Sequence, residues 1–173
     1  MNPLGCGGVL SRAAFGENNM KSAAFGLACG LVLMTTIAAQ ADTFYLGTWK
    51  LTDAVVAPWV DARHKPDSAE KTRLLDKTVV FTAKQITGPR PFACAAPHYK
   101  VSNYTADMIF QGAFSEMQSS NKSVDPGKIA ATLGFAGAHI KTLETGCEID
   151  FHYIDATTAQ IGLNDYVYTL KKQ

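Results

Sequence analysis

Gly47-Thr48-Trp49-Lys50-Leu51 is the stretch that decides how the fold of this chain is predicted. Trp49 and Leu51 face one way and the polar residues beside them face the other. This period of two predicts a β-strand over residues 44–51. A second strand with the same alternation, over residues 166–171, ends in lysines. A first strand with Gly-x-Trp and a last strand that ends in a basic residue indicate a small β-barrel.

The segment before this strand has the features of an export signal. Met20-Lys21 supplies a positive start, an uncharged and largely apolar run follows, and Ala39-Gln40-Ala41 fits the small-x-small site that a signal peptidase cleaves. We therefore predict a signal peptide over residues 20–41, preceded by a misannotated extension over residues 1–19. The alternative is a retained membrane anchor near the minimum spanning length. Cleavage leaves residues 42–173 as a single exported domain, periplasmic or secreted in a bacterium.

The predicted domain has balanced charge. Of the 16 Lys and Arg residues only Arg12 and Lys21 precede Asp42, and of the 15 Asp and Glu residues only Glu17 does, so the domain carries 14 charges of each sign. Nucleic acids and anionic membrane surfaces attract proteins with excess positive charge. We therefore expect neither as the principal partner, and no membrane contact after signal cleavage.

Two cysteines, Cys94 and Cys147, remain after cleavage. Two thiols in an exported chain are most simply explained by one disulfide. The loop that it closes would be more than fifty residues long, for which the chain-entropy treatment gives about 4 kcal/mol of stabilisation. The alternative, a metal or redox pair, lacks the close spacing that such sites usually have.

The middle of the domain mixes strands and helices. β-branched residues predict a strand over residues 77–84, after an exposed charged loop in which a helical turn starts at Ser68. Apolar residues at helical spacing predict a helix over residues 106–117, although Gly112 lies within it. Asp125-Pro126 then supplies the N-cap and first position of a short second helix.

From residue 138 onward the period returns to two and predicts four strands, over residues 139–143, 148–154, 158–163 and 166–171. The links between them are short, which forces antiparallel neighbours. The predicted fold class is mainly β (α+β). We expect an antiparallel β-barrel or a strongly curved meander sheet of six to eight strands, with one or two short helices inserted around residues 105–134.

Gly47-Thr48-Trp49-Lys50-Leu51 together with Lys171 resembles the calycin group, which comprises lipocalins, fatty-acid-binding proteins, avidin-like barrels and small bacterial protease inhibitors of the same shape. The resemblance implies that Gly47 and Trp49 close one end of a barrel and that Lys171 or Lys172 is the basic partner of Trp49. From the residues alone, Trp49 is an ordinary core aromatic. Trp49 is therefore structural in both interpretations.

Candidate chemistry is sparse. Asp150 and His152 lie two apart on one predicted strand and share a face, and a carboxylate beside an imidazole can orient a base or bind a metal. We favour the simpler interpretation, the polar side of a half-exposed strand, and retain both residues as candidate binding contacts. The four histidines are scattered singly, without the spacing of metal ligands, and no local nucleophile motif completes a triad. We predict no catalytic residue, no metal and no cofactor.

The aromatic residues lead to two predicted functions. Trp59, beside Pro58 and before a charged loop, is the best candidate for an exposed binding contact. The first function is a non-catalytic binding protein that holds a small apolar ligand in the mouth of a calycin-like barrel. The second is a protein-binding inhibitor of a secreted or periplasmic hydrolase, a protease or a lysozyme, acting through loops 58–73 or 87–97. An enzyme using Asp150 and His152 is a third alternative.

Overall fold

The structure is a computed structural model that describes residues 43–173, so the predicted signal peptide and extension lie outside the described residues. The described chain forms eight strands: β1 Gly47–Val56, β2 Thr78–Phe81, β3 Ile86–Thr87, β4 Lys100–Tyr104, β5 Ile140–Glu144, β6 Phe151–Asp155, β7 Thr158–Leu163 and β8 Tyr166–Lys172. The α-helices are α1 Ser68–Leu74, α2 Ala113–Ser120 and α3 Pro126–Thr132. The predicted mainly β, antiparallel class is confirmed. No helix within residues 43–173 has the length and apolar character to cross a membrane.

The strands form one antiparallel sheet in the order β3-β2-β1-β8-β7-β6-β5-β4. The sheet is curled, because Phe81 of β2 and Phe151 of β6 touch with ring centroids 4.8 Å apart although three strands separate them in the sheet. The result is an eight-stranded half-barrel. The four C-terminal strands follow one another as the predicted meander, and β1 pairs with the last strand, β8.

The inside of the curl holds the larger of two hydrophobic cores. Its largest buried side chains include Trp49, Phe81, Phe151 and Tyr168, each at most 2% exposed. Trp49 is fixed by a hydrogen bond from its indole Nε1 to the Tyr45 carbonyl oxygen, 2.8 Å away. Apolar burial of this size is the main stabilising contribution to a domain of this length.

The outside of the curl is covered by the segment that contains α2 and α3. Phe110, Phe114 and Ala130 bury the second core against Ile140 and Val167 of the sheet. Both faces of the central strands are therefore covered, and residues 158–161 of β7 are buried without interruption. The alternation of residues in β6 predicts a half-exposed strand; this prediction is wrong, because the helical segment covers the polar side of β6 at His152.

The first predicted helix, over residues 106–117, is also wrong in its first half. Phe110 to Gly112 form a 3₁₀ turn, with φ of 50° at Phe110, 56° at Gln111 and 80° at Gly112, so α2 begins only at Ala113. These positive φ values reverse the chain and cannot belong to a right-handed α-helix. The second helix and the helical turn at Ser68 are confirmed as α3 and α1.

The predicted disulfide between Cys94 and Cys147 is confirmed, with the two Cα atoms 6.4 Å apart. It joins the segment after β3 to the turn between β5 and β6. Cys94 also exchanges two backbone hydrogen bonds with Ile86 of β3. The hydroxyl of Tyr99 donates to the Thr82 carbonyl oxygen at 2.9 Å. These contacts connect the two edges of the sheet, which are not joined to each other by a strand ladder.

Candidate functional site

The turn between β7 and β8, Asn164-Asp165, organises one end of the half-barrel, which we call the Asn164 end. It lies at the end of β1 remote from Trp49, because Ala57 directly after β1 donates its N–H to the Asp165 carbonyl oxygen at 2.8 Å. Asn164 has φ of 48°, a left-handed conformation that asparagine tolerates better than most residues. Side chains and backbone groups of residues 59–70 form hydrogen bonds with this turn.

The charged loop after β1 is anchored to this turn by side-chain hydrogen bonds. The Asp165 carboxylate lies 3.0 Å from His64 Nε2 and accepts the Asp67 N–H at 2.9 Å. The hydrogen bond from the Asp67 N–H has the largest effect and the His64 contact the next, and together they hold the pKa of Asp165 below its ordinary value. The Asn164 amide donates to both carboxylate oxygens of Glu70, at 3.0 and 3.1 Å. The loop and the start of α1 are therefore fixed to the turn.

Trp59 stands half-buried at this end. Its indole Nε1 donates to the Asn164 carbonyl oxygen at 3.1 Å, and its ring packs on Phe110 and Phe114 at centroid distances of 5.5 and 6.1 Å. Gly162 permits this position, because a Cβ there would lie 2.8 Å from Cη2 of Trp59. Trp59 is thus held in place with part of its surface in solvent, and its predicted role as a binding contact stays a prediction.

Beside Trp59 lies the left-handed turn that begins at Phe110. A non-glycine residue in this conformation costs on the order of 1–3 kcal/mol and persists only where its surroundings impose it. Phe110 is 4% exposed and packs on Phe114, Phe135 and the imidazole of His152. Packing of the phenyl ring imposes the turn, which leaves Gln111 exposed next to Trp59.

His152 is the polar anchor of this turn. Its Nε2 accepts the Phe110 N–H at 2.9 Å, and its Nδ1 lies 2.9 Å from the Thr142 hydroxyl oxygen. Because Nε2 is an acceptor, the ring is neutral with its proton on Nδ1. Burial lowers the pKa of His152 to about 3. At 2% exposure the imidazole is a structural group rather than a surface contact.

Asp150, the other member of the predicted pair, has no hydrogen bond to His152 within the described chain. Its carboxylate accepts the Thr145 N–H at 3.4 Å. Burial raises the pKa of this carboxyl group, and the nearby Glu144 adds to the effect. The two side chains that the sequence places on one face therefore have separate partners.

The residues named by the calycin resemblance lie at the end opposite the Asn164 end. The Lys172 ammonium lies 5.6 Å from the centroid of the Trp49 ring, and Trp49 pairs with Lys172 in the sheet. Lys171 instead donates to the Thr158 hydroxyl at 2.6 Å. Gly47, with φ of 116°, begins β1, and the Cβ that a larger residue would place there lies 3.6 Å from Lys172 Cε. Gly47, Trp49 and Lys172 therefore lie together at this end.

Four open depressions surround the Asn164 turn, and Asn164 lines all of them. Their volumes are about 470, 340, 280 and 370 Å³. Trp59 forms a wall shared by two of them, of about 340 and 370 Å³. The Asn164 end is therefore a surface of four shallow depressions, two of which are separated by the Trp59 side chain.

Carboxylates predominate on this surface. Six acidic residues line the four depressions against two arginines, and the acidic ones are Asp61, Asp67, Glu70, Glu116, Glu148 and Asp165. Part of this charge is satisfied internally, since Asp61 pairs with Arg63 at 2.9 Å. Glu116 and Glu148 have no ion pair among the described residues. Basic groups also lie at this end, since Lys71 Nζ is 5.8 Å from the centroid of the Tyr166 ring, so the excess of carboxylates holds for the lining of the depressions.

Sequence reasoning selected Trp59 but missed the residues that surround it. Gln111, Gly162 and Asn164 come from three distant parts of the chain, and their types are common in loops and turns. The Asn164-Asp165 pair signalled a hairpin turn, and only the fold shows that loops collect around it. Among the residues 43–173, no group of three or more His, Cys, Asp or Glu side chains is arranged to hold a metal ion.

Comparison with known proteins adds no family to this description. The chain matches no protein-family model, no curated protein and no solved structure.

Proposed function

We propose that this protein is an exported, non-catalytic inhibitor that binds a secreted or periplasmic hydrolase through the Asn164 end. The observation that carries the proposal is Trp59, held rigidly and half-exposed by the Asn164 carbonyl group, Phe110 and Gly162. Tryptophan is enriched among the residues that contribute most to protein–protein binding. A rigid aromatic side chain also loses little conformational entropy on binding.

The distribution of charge supports a partner with a basic surface. The carboxylates around Asn164 would attract such a partner and orient it before contact. At the other end Lys141 and Lys172 face the rings of Phe44 and Trp49. The protein would therefore approach a basic hydrolase with the Asn164 end first.

The curled antiparallel sheet also agrees with the calycin resemblance, a group that includes small protease inhibitors as well as ligand carriers. A small apolar ligand inside the curl stays a prediction. The inhibitor is better supported, because bulky buried side chains such as Trp49 and Phe151 occupy the inside of the curl and the depressions around Asn164 open to solvent. The disulfide is compatible with an oxidising compartment outside the cytoplasm.

A panel of lysozymes and secreted proteases, assayed with and without the purified protein, tests the proposal. At least one hydrolase should be inhibited, and Trp59→Ala should weaken inhibition about 30-fold or more, as expected for a central interface tryptophan. Lys84→Ala, an exposed change on the turn between β2 and β3, is the matched control and should leave inhibition intact. Absence of inhibition across the panel, or equal inhibition by Trp59→Ala, would refute the proposal.

A further inference from the structure

We infer that the depression between Trp59 and Glu116 receives an arginine side chain of the partner protein. This depression, of about 340 Å³, also contains Gln111, Gly162 and Asn164 in its lining. The inference rests on the proposed function and names the chemical group by which the partner is recognised. Its basis is the set of polar atoms that the protein leaves without a donor.

The polar side chains of this depression direct amide and indole N–H groups to the protein itself and keep their amide oxygens free of protein donors. The Gln111 amide nitrogen donates to the Glu148 carbonyl oxygen at 3.2 Å. The Asn164 amide nitrogen donates to the Glu70 carboxylate. The Trp59 indole N–H is bound to the Asn164 carbonyl oxygen. A ligand therefore meets a site that accepts hydrogen bonds.

Three acceptors remain: the Gln111 amide oxygen, the Asn164 amide oxygen and the Glu116 carboxylate. None of them has a protein donor within residues 43–173. Glu116 is exposed on the first turn of α2 and supplies a full negative charge. Three acceptors, one of them a carboxylate, outnumber the one remaining Gln111 N–H and favour a cationic donor over a neutral or anionic group.

The Trp59 ring makes the depression a better site for arginine than for lysine. A planar guanidinium can lie against an indole face, which attracts cations through the ring quadrupole, while its edge donates to a carboxylate. A lysine ammonium is more strongly hydrated and donates from a single point. The combination of one aromatic wall with several separated acceptors therefore fits arginine, which carries five donors in a plane.

Rigidity makes this site ready for a side chain to enter. Glu116 lies in α2, which begins directly after the turn that His152 holds, and Asn164 is fixed by Glu70 and Trp59. Little ordering of the protein would accompany binding, which favours affinity. The left-handed turn at residues 110–112 contributes to the site because it places Gln111 and the start of α2 beside Trp59.

The test uses N-acetylarginine amide as probe and N-acetylcitrulline amide, which has the same shape without the charge, as its control. Titration is followed by the indole N–H signals in NMR spectra, where Trp59 reports the site and buried Trp49 serves as reference. We expect millimolar binding that moves the Trp59 signal, with citrulline at least threefold weaker. Glu116→Gln should weaken arginine binding about twofold to fivefold.

The matched control variant is Asp53→Asn, which removes an exposed carboxylate on β1 that lines none of the four depressions. It should change arginine binding less than twofold. Equal binding of arginine and citrulline, equal effects of the two variants, or no shift of Trp59 would overturn the inference. Hydrolase inhibition that persists in Glu116→Gln while Trp59→Ala abolishes it would refute the arginine site alone. Arginine binding without inhibition of any hydrolase would refute the proposed function alone.

Discussion

The buried imidazole of His152 should make the stability of the fold fall between pH 7 and pH 5. Its pKa is about 3 in the folded protein, against an ordinary value of 6.5. Below pH 6.5 the imidazole of His152 binds a proton in the unfolded chain but stays neutral in the folded protein, so acid favours unfolding. The stabilisation is complete above pH 6.5 and is lost progressively as the pH falls toward 3.

The size of the effect follows from proton linkage. Each pH unit below the unfolded pKa costs about 1.4 kcal/mol until the folded pKa is reached. Between pH 7 and pH 5 the expected loss in the free energy of unfolding is about 2 kcal/mol. Carboxyl groups change this free energy mainly at lower pH, because their ordinary pKa values lie near 4. The contribution of Asp150 has the opposite sign, since burial raises its pKa.

Urea unfolding at pH 7, 6 and 5, followed by far-UV circular dichroism at constant ionic strength, measures this loss. The variant His152→Gln should be less stable at pH 7 and should lose most of the pH dependence between 7 and 5. Comparison of the two proteins removes the contributions of the carboxyl groups, which they share. A free energy of unfolding in the native protein that stays constant from pH 7 to pH 5, or an equal slope in His152→Gln, would refute the reasoning.

Three further perturbations test other parts of the structure. Reduction of Cys94–Cys147 should remove about 4 kcal/mol and lower the melting temperature by ~15 °C; an unchanged midpoint in calorimetry would contradict this. Gly162→Ala should cost about 1–3 kcal/mol and shift the fluorescence of Trp59, because its Cβ would meet the indole 2.8 Å away; an unaltered emission spectrum would show that the contact is absent. Gln111→Gly should raise the free energy of unfolding by about 0.5–1 kcal/mol, since glycine adopts φ of 56° without strain; a measured loss would mean that the side-chain hydrogen bond of Gln111 outweighs the strain.

The strands could be predicted because their signal is local. The alternation of residues over the last four strands and the short turns between them determined both the elements and their antiparallel order. The pairing of β1 with β8 was not predicted, since the calycin resemblance implied only that Lys171 or Lys172 is the basic partner of Trp49. Strand β3 was missed because Ile86–Thr87 is two residues long and owes its pairing to Val80 and Phe81 of β2.

The outer core could not be predicted, since its cause is not local. A polar face on β6 predicts exposure of that face to solvent unless another element covers it. No residue within 148–154 indicates that the segment around Phe110 covers this face. The same contact breaks the helical periodicity over residues 106–117. Periodicity was counted correctly there, but buried packing of Phe110 outweighed the preference of the backbone for right-handed φ.

The candidate site was predictable only in its aromatic member. Trp59 follows Pro58 at the end of a strand and precedes a charged loop, a pattern that indicates exposure. Gly162 is a strand residue whose missing side chain matters because the rings of Trp59 and Phe110 pack against it. Asn164 is a turn residue whose carbonyl and amide groups acquire partners from two distant loops. Such convergence depends on the folded topology.

The pairing of Trp49 in β1 with Lys172 in β8 has a consequence for how the chain reaches this structure. The longest strand of the sheet has its main partner at the far end of the sequence, so the inner core cannot assemble from neighbouring segments alone. Contacts this distant make folding slow, because a large loop must close before they can form. Until β8 arrives, β1 has only the four-residue strand β2 as a partner. We therefore expect truncation of the last strand to leave a chain that cannot complete its sheet.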